Sequence, residues 1–443
     1  MERENVYEKP VTLGNILKFA IPTIAMSVFM SFYTMVDGLF VSNLVGTKAL
    51  SAINLAAPLI QLVTAISTML ATGGSAVIMK KMGEQKSEEA KEDFTFLILV
   101  NVVTGFVMCG LGYLLMDKVF AGMGLSADVS GYCMEYLSRY LLFTVPVLLM
   151  NNFSLYMIAS GRATLSLICS VAGGVLNMVL DYVFIAIFGM GIGGAAVATG
   201  IGYSVTAVAG LFVFSSKKSL LHFKKPVISF RVLSNAAANG CSEMATALVT
   251  GIITMMFNWT MLRYVGEDGV AAVTIIMYVL MFASSLYTGY SYGVAPMLSY
   301  YYGGQDNIKL KKLVCTSLKV IAVISIITVA ASFIMTKPLV SVFARPDNPV
   351  YGLAVTGNRI CTIALFFIGF NIFASGMFTA LSNGAVSAIL AFSRSFLFML
   401  ITMLVLPVVF GVNGIWMATP VAELMALALS LGMFIIYRKK YQY

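Results

Sequence analysis

A lone carboxylate, Asp181, lies in the apolar segment NMVLDYVFIAIFG, residues 177–189. Asn177 precedes it by four positions, so a helix would place the amide and the carboxylate on one face. A second acid, Asp37, lies in the apolar stretch YTMVDGLFV. A charged side chain at the bilayer centre costs about 2.5–3.5 kcal/mol on insertion scales, and such side chains usually face an internal ion or substrate path. Asp37 and Asp181 are therefore candidate ion-binding residues.

The two acids are predicted to lie at a similar depth in the membrane and are therefore treated as a pair. The helices that carry Asp37 and Asp181 run in the same direction, and both acids lie in their outer halves. Two neighbouring carboxylates in a medium of low dielectric constant cannot both ionise easily, so we expect one to hold a proton near neutral pH. The same oxygens could instead bind Na⁺, a hard cation that prefers oxygen ligands. The residues predict a site for H⁺ or Na⁺ and leave the choice open.

Three further charged residues lie in apolar segments of the second half: Glu243, Arg394 and Glu423. Opposite charges buried in one lobe can stabilise each other as a pair. We interpret these three residues first as a structural pairing, with a role in transport as the alternative.

The composition is that of an integral membrane protein. Of the 443 residues, 59% are hydrophobic and 11% charged, against about 25% charged in soluble domains, and the mean hydropathy is +0.91. The first apolar run, near Leu17, has no small-residue cleavage site behind it, so it predicts a membrane helix and not a signal peptide. Lys and Arg gather in alternate loops, which is the positive-inside pattern. That pattern explains the net charge of +9 without a nucleic-acid partner.

Twelve apolar runs are long enough to cross a bilayer as helices, which requires about 20 residues each. An even number of crossings places both termini on one side, and the basic stretch 438–440 indicates that this side is the cytoplasm. The runs are 15–43, 49–79, 94–116, 133–158, 164–188, 192–215, 232–263, 269–300, 313–335, 352–378, 385–410 and 413–437.

The chain matches itself at an offset of 220 residues. The block GIGGAAVAT (191–199) falls on GVNGIWMAT (411–419). Single matches are Ala52 with Ala272, Gly73 with Gly293, Gly83 with Gly303, Gln85 with Gln305, Asn151 with Asn371 and Met157 with Met377. Six helices per half make this a parallel repeat about an axis along the membrane normal, a recurring transporter plan. We predict lobes at 1–215 and 232–443 and a cytoplasmic linker at 216–231.

The sequence lacks the residues that several classes of protein require. No G-x-x-x-x-G-K-[ST] loop is present, so ATP is not expected to drive the protein directly. The six cysteines are scattered singly and the one histidine, His222, lies in a basic loop, so no transition-metal site or cofactor is expected. No nucleophile with a neighbouring base suggests an enzyme. Ion-coupled secondary transport remains.

These features together resemble the multidrug and toxic compound extrusion (MATE) family over about residues 12–437. The resemblance is carried by the Val-Asp-x-x-Phe-Val core of the first helix, the Asn-x-x-x-Asp of the fifth and the repeated Gly-Ala-Ala-x-Ala-Thr type of block. The segments concerned are 20–52, 160–185, 191–199 and 300–312. The alternative twelve-helix family, the major facilitator superfamily, usually has an Asp-Arg-x-Gly-Arg loop, where this chain has KKMGEQKSEEAKED.

The resemblance implies an all-α membrane protein whose two six-helix lobes form a V around a central cavity. It implies a monomer in the bacterial cytoplasmic membrane that exchanges inward-moving H⁺ or Na⁺ for an outgoing drug-like, often cationic, compound. Matched residue by residue, the family's coupling site falls on Asp37, Asn177, Asp181 and Thr199. A cation site in the C-terminal lobe would need an acid on the tenth helix, which has none.

Substrate contacts are predicted near the first of these acids. Tyr33 lies one turn from Asp37, and aromatic faces attract organic cations. Methionine side chains adapt to ligands of varied shape. The candidate contacts are Met30, Tyr33, Asn151, Asn152 and Met157.

Two other functions stay open from the residues. A flippase for lipid-linked precursors would be expected to carry several cations in its cavity, whereas only Arg394 lies deep in the membrane here. A sensor or enzyme subunit without transport would show no substrate-dependent ion flux.

Overall fold

A computed structural model describes residues 6–45, 47–122 and 127–443, and all regular structure in these ranges is helical. A short 3-10 helix, Val6–Glu8, precedes the first long one. The α-helices are α1 (Leu13–Leu44), α2 (Thr47–Gly83), α3 (Ser87–Gly122), α4 (Ala127–Leu141), α5 (Thr144–Ala159), α6 (Ala163–Asp181), α7 (Gly191–Ser215), α8 (Phe230–Tyr264), α9 (Glu267–Gly303), α10 (Asn307–Phe343), α11 (Pro349–Cys361), α12 (Leu365–Ala380), α13 (Gly384–Phe392), α14 (Phe398–Phe410) and α15 (Val412–Tyr441).

Within the described ranges these helices form the predicted twelve membrane crossings. Eleven are long and apolar enough to span a bilayer, and the twelfth, the predicted fourth, is the pair α4 and α5, bent by 55°. Two crossings contain π-helical turns, Tyr182–Ile187 after α6 and Ser393–Leu397 between α13 and α14. Helices are required here because lipid offers no hydrogen-bonding partner to the backbone.

Polar residues at several helix starts explain where the predicted breaks fall. The side chains of Ser229, Asp306 and Asn383 accept hydrogen bonds from the backbone N–H groups of Val232, Lys309 and Val386, respectively. Such caps satisfy donors that have no partner inside the helix.

The internal repeat is visible as a swapped contact between the lobes. A Cβ on Gly83 would lie 2.0 Å from the carbonyl oxygen of Tyr300, and a Cβ on Gly303 would lie 2.0 Å from that of Lys80. Gly83 and Gly303 are repeat equivalents, and so are Lys80 and Tyr300. The two contacts are therefore related to each other by a two-fold axis. The contact lies where α2 and α9 end, here called the basic end because Lys80, Lys81 and Arg231 are there.

The repeat has a different register in the middle of each lobe. Helices α5 and α12 have 16 residues each, at Thr144–Ala159 and Leu365–Ala380, an offset of 221. The hydroxyls of Ser154 and Ser166 lie 2.7 Å apart, and those of their equivalents Ser375 and Ser387 lie 2.9 Å apart. The sequence matches of Asn151 with Asn371 and of Met157 with Met377 are thus one residue out of structural register.

The connection between α7 and α8 covers residues 216–229, two residues shorter than the predicted linker. It packs on α3 of the first lobe. The Lys224 ammonium lies 2.7 Å from the Glu92 carboxylate and 3.1 Å from that of Glu88, and the Phe223 ring stacks on Phe94 with centroids 5.5 Å apart.

Candidate functional site

Small residues bring α6 and α7 together beside the predicted ion site. A Cβ on Gly173 would lie 2.5 Å from the carbonyl oxygen of Gly202, so a larger side chain would not fit. Small residues at such crossings let helix backbones approach closely within a membrane. One turn beyond, the Asn177 amide donates to the Thr199 hydroxyl at 3.3 Å. The predicted neighbours Asn177 and Thr199 are therefore in contact.

Helix α1 brings the second acid to this crossing. Gly174 leaves room for the ring of Phe29, which a Cβ would meet at 2.6 Å. Two turns further along α1, the Asp37 carboxyl lies close enough to the Asp181 carboxyl for the two to interact. The structure thus brings together the acidic pair that was predicted from depth alone.

The oxygens of this cluster have no donors. Asp37 Oδ1, Asn177 Oδ1 and both carboxylate oxygens of Asp181 are buried without a hydrogen-bond partner among the described residues. The Thr199 hydroxyl donates to the Ala195 carbonyl at 2.9 Å, which leaves its lone pairs for an acceptor role. Buried oxygens of this kind are costly unless a proton or a cation satisfies them. The arrangement can therefore bind H⁺ or a hard cation.

Tyrosines surround the acids, and of these Tyr33 alone was predicted from the sequence. Tyr33 is buried and within hydrogen-bonding reach of Tyr203. Tyr136 is buried close enough to interact electrostatically with both Asp37 and Asp181. Tyr203 follows Thr199 by four residues, so helical spacing could have identified it. Tyr136 lies on α4, beyond the bend between α4 and α5, where the sequence gives no signal.

A small cavity lies within the first lobe, lined by residues about one helical turn from the acidic pair. Its wall includes two predicted substrate contacts, Met30 and Tyr33, together with Met150, Gly173 and Tyr203.

The other three predicted contacts lie in helix packing. Asn152 is fully buried, and its amide donates to Asn101 Oδ1 and to the Leu148 carbonyl, both at 2.9 Å. Met157 is also fully buried, in the largest apolar core. Asn151 is half-buried and donates to the Ser67 hydroxyl at 3.1 Å.

The second lobe pairs two of its three charges. Arg394 Nε donates to Glu423 Oε1 at 2.8 Å and to Oε2 at 3.0 Å. The Asn371 amide donates to the Glu423 carboxylate at 2.8 Å and to its backbone carbonyl at 2.9 Å, and the Ser430 hydroxyl donates to Asn371 Oδ1 at 3.0 Å. The predicted pairing therefore holds for Arg394 and Glu423, with each carboxylate oxygen satisfied.

Glu243 stands apart from this pair. It lines a cavity of about 40 Å³ between the lobes, beside hydroxyl groups of both lobes such as those of Thr72, Ser75 and Tyr292. Arg394 is near enough to interact with it electrostatically. Over the described residues, no group of three or more His, Cys, Asp or Glu side chains is placed to hold a metal ion.

Two six-helix lobes, a swapped contact between them and a buried acidic pair in one lobe define a membrane transporter of the MATE type. The MatE family model matches twice, at residues 22–183 and 243–405, once in each half. The chain belongs to the MatE family.

Curated relatives and solved structures are similar over the whole chain. The multidrug export protein MepA of Staphylococcus haemolyticus is 22% identical over 97% of this chain and 94% of its own. MepA of Staphylococcus saprophyticus is 21% identical over 99% and 96%. A MATE transporter in complex with MaD3S superposes with a TM-score of 0.93 at 22% identity over the full length of both chains. A multidrug resistance MATE transporter in an outward-facing conformation gives 0.91 at 22% identity over 96% of both chains. These similarities establish the MATE fold.

Proposed function

We propose that the protein is an ion-coupled multidrug exporter of the bacterial cytoplasmic membrane. Inward movement of H⁺ or Na⁺ through the site at Asp37, Asn177, Asp181 and Thr199 drives outward movement of drug-like, cationic compounds. The multidrug export activity of the MepA relatives supports this choice of substrate class.

One observation carries the proposal: the two carboxyls of Asp37 and Asp181 lie together with unpartnered oxygens inside an apolar bundle. A carboxylate pair of this kind is expensive unless it holds a proton or a cation. Among the described residues, no basic side chain pairs with either acid, in contrast to Glu423. An exchangeable ion is the simplest way to satisfy the pair.

The basic end is placed in the cytoplasm because positive loops stay on that side. The lobes touch at this end through Gly83 and Gly303, so the arrangement described corresponds to a transporter that is closed towards the cytoplasm. The acidic pair then lies in the outer half of the bundle, where it can take up an ion from outside.

Exchange follows from differential affinity for two conformations. With one proton already held by the pair, binding of one further H⁺ or Na⁺ neutralises the remaining negative charge of Asp37 and Asp181 and weakens attraction for a cationic substrate nearby. The substrate leaves outwards, and the lobes then separate at the basic end, where the ion dissociates. Tyr33 and Met30, which line the adjacent cavity, are proposed to contact the substrate.

The experiment is efflux of a fluorescent organic cation from proteoliposomes under separately imposed proton and sodium gradients. Asp37→Asn and Asp181→Asn each keep the side-chain shape and remove the charge. We expect either substitution to reduce gradient-driven efflux at least about 100-fold, because a neutral amide cannot exchange a proton or compensate a cation.

Asp117→Asn is the matched control, since Asp117 is an exposed carboxylate in α3 of the same lobe. It should leave efflux unchanged. The gradient that drives efflux in the wild-type protein identifies the coupling ion. Undiminished efflux in both Asp37→Asn and Asp181→Asn would refute the proposed coupling site.

A further inference from the structure

The ion pair of the second lobe occupies the position of the first lobe's cavity. Three residues in the wall of the first lobe's cavity, about one helical turn from the acidic pair, are Met150, Gly173 and Tyr203. Their repeat equivalents are Asn371, Arg394 and Glu423, at the offset of 221 for the first two and 220 for the third. These equivalents are the residues that form the buried network around Glu423. Where one lobe has a space, the other has a guanidinium group.

The two lobes also differ in how their acids are satisfied. In the first lobe, both oxygens of Asp181 are without a donor among the described residues. In the second, the Glu423 carboxylate receives Arg394 Nε and the Asn371 amide at 2.8–3.0 Å. The side chains of Arg394 and Glu423 are 20% and 7% exposed. A buried charge-assisted bond of this geometry is persistent, and arginine stays protonated in proteins.

We infer that the Arg394 guanidinium is a tethered cation that permanently satisfies the Glu423 carboxylate of the second lobe, as an exchangeable ion satisfies the acidic pair of the first, and that it fills the position of the first lobe's cavity. This inference rests on the proposed function of the acidic pair. It adds that the first lobe has one site that exchanges an ion and that the second lobe has none. Glu423 is thereby a latent cation site that is exposed when Arg394 is removed.

The charges around this site agree with such a role. Glu423 faces Arg394 from α15, and Glu243 approaches Arg394 from α8. Asn371 and Ser430 contribute neutral oxygens and an amide. If the arginine is replaced by a neutral side chain, the carboxylates of Glu423 and Glu243 both lose the cation that interacts with them.

The experiment uses the full-length protein with Asp37→Asn and Asp181→Asn, so that the first lobe's site is silent. Thermal unfolding in detergent is measured in sodium and in choline salts, and over a pH series. We expect this background to be insensitive to Na⁺. Adding Arg394→Gln should produce a rise in Tm of at least about 2 °C on adding Na⁺ or on lowering the pH, because a ligand that binds only the folded state stabilises it. Adding Glu423→Gln as well should abolish that response.

Two controls make the result specific. Arg263→Gln removes an arginine that lies over the Trp259 ring at 5.9 Å, far along α8, and should create no ion response. Arg394→Lys keeps a cation at the site and should remain insensitive. If Arg394→Gln does not yield folded protein, Arg394→Ala is purified with millimolar guanidinium, and the ion response is measured after its removal.

An Arg394→Gln protein whose Tm responds neither to Na⁺ nor to pH, beyond the response of its background, would overturn the inference and leave only a structural ion pair. An ion response that persists in the Arg394→Gln, Glu423→Gln protein would also overturn it. Because the first lobe's site is silent throughout, neither result depends on whether Asp37 and Asp181 drive export. The failure of the tethered cation and the failure of the proposed function are therefore separable.

Discussion

At the scale of single residues, Thr199 is the member of the site whose role can be isolated. Its hydroxyl accepts from Asn177 at 3.3 Å and donates to the Ala195 carbonyl at 2.9 Å. Thr199→Val keeps the shape and removes the oxygen. We expect affinity for the coupling ion to fall about tenfold, equivalent to about 1.4 kcal/mol, because one polar ligand is lost and the Asn177 amide loses its acceptor. The ion concentration for half-maximal efflux measures this effect.

The control for this substitution is Thr254→Val. Thr254 is exposed on α8, and its hydroxyl donates to the Thr250 carbonyl of the same helix at 3.0 Å. It should leave the half-maximal ion concentration unchanged. An equal shift in both variants would attribute the Thr199 effect to general destabilisation.

Residue chemistry also sets how much of the site could be predicted. Asp37 and Asp181 were identified because a carboxylate is conspicuous in an apolar segment, and Asn177 because helical spacing fixes its face. Tyr136 was missed, since aromatic residues are ordinary in membrane helices and its helix turns at a bend. Arg394 was expected to pair with an acid, but the choice of Glu423 over Glu243 depends on the rotation of three helices, which apolar sequences do not encode.

At the scale of elements, α1 is the helix that can transmit the state of Asp37 to the contact between the lobes. It is continuous from Leu13 to Leu44 through Pro22, where the missing N–H removes one backbone bond. The adjacent Thr23 hydroxyl bonds to the Phe19 and Ala20 carbonyls and touches Gly293 of the other lobe. We expect Pro22→Ala to stiffen this point and lower the efflux rate about tenfold, with unchanged ion affinity.

Efflux rates at saturating and limiting ion concentration separate these two quantities. The matched control is Pro58→Ala, since Pro58 also lies inside a helix, α2. A Pro22→Ala protein with the wild-type efflux rate would show that α1 does not bend at this residue during transport.

Some features of the helices could be predicted from the sequence and others could not. Twelve crossings and the repeat follow from runs of apolar residues and from matched blocks. The 55° bend between α4 and α5 and the π-helical turn Tyr182–Ile187 do not, because a local change of helical register alters no residue's polarity. That turn begins directly after Asp181, and it is therefore the part of the site's geometry that only the structure supplies.

At the scale of the whole molecule, Gly83 and Gly303 decide whether the two lobes can close at the basic end. A Cβ on Gly83 or Gly303 would lie 2.0 Å from a carbonyl oxygen of the opposite lobe, so the lobes must separate to admit it. We expect Gly83→Ala with Gly303→Ala to shift the equilibrium towards a conformation open at the basic end. Since each 1.4 kcal/mol changes the population ratio tenfold, even modest strain should be measurable.

The measurement is the distance between spin labels on the two lobes at the basic end, attached to cysteines at Lys86 and Ile308 in a background without the six native cysteines. Both positions are exposed. Longer distances are expected for the double variant and not for Gly110→Ala, because a Cβ on Gly110 would meet no atom within 4 Å. Distances that overlay those of the wild-type protein would mean that the glycine contact does not control closure. Longer distances with intact ion binding would place control of the cytoplasmic gate at the lobe contact and not at the acidic pair.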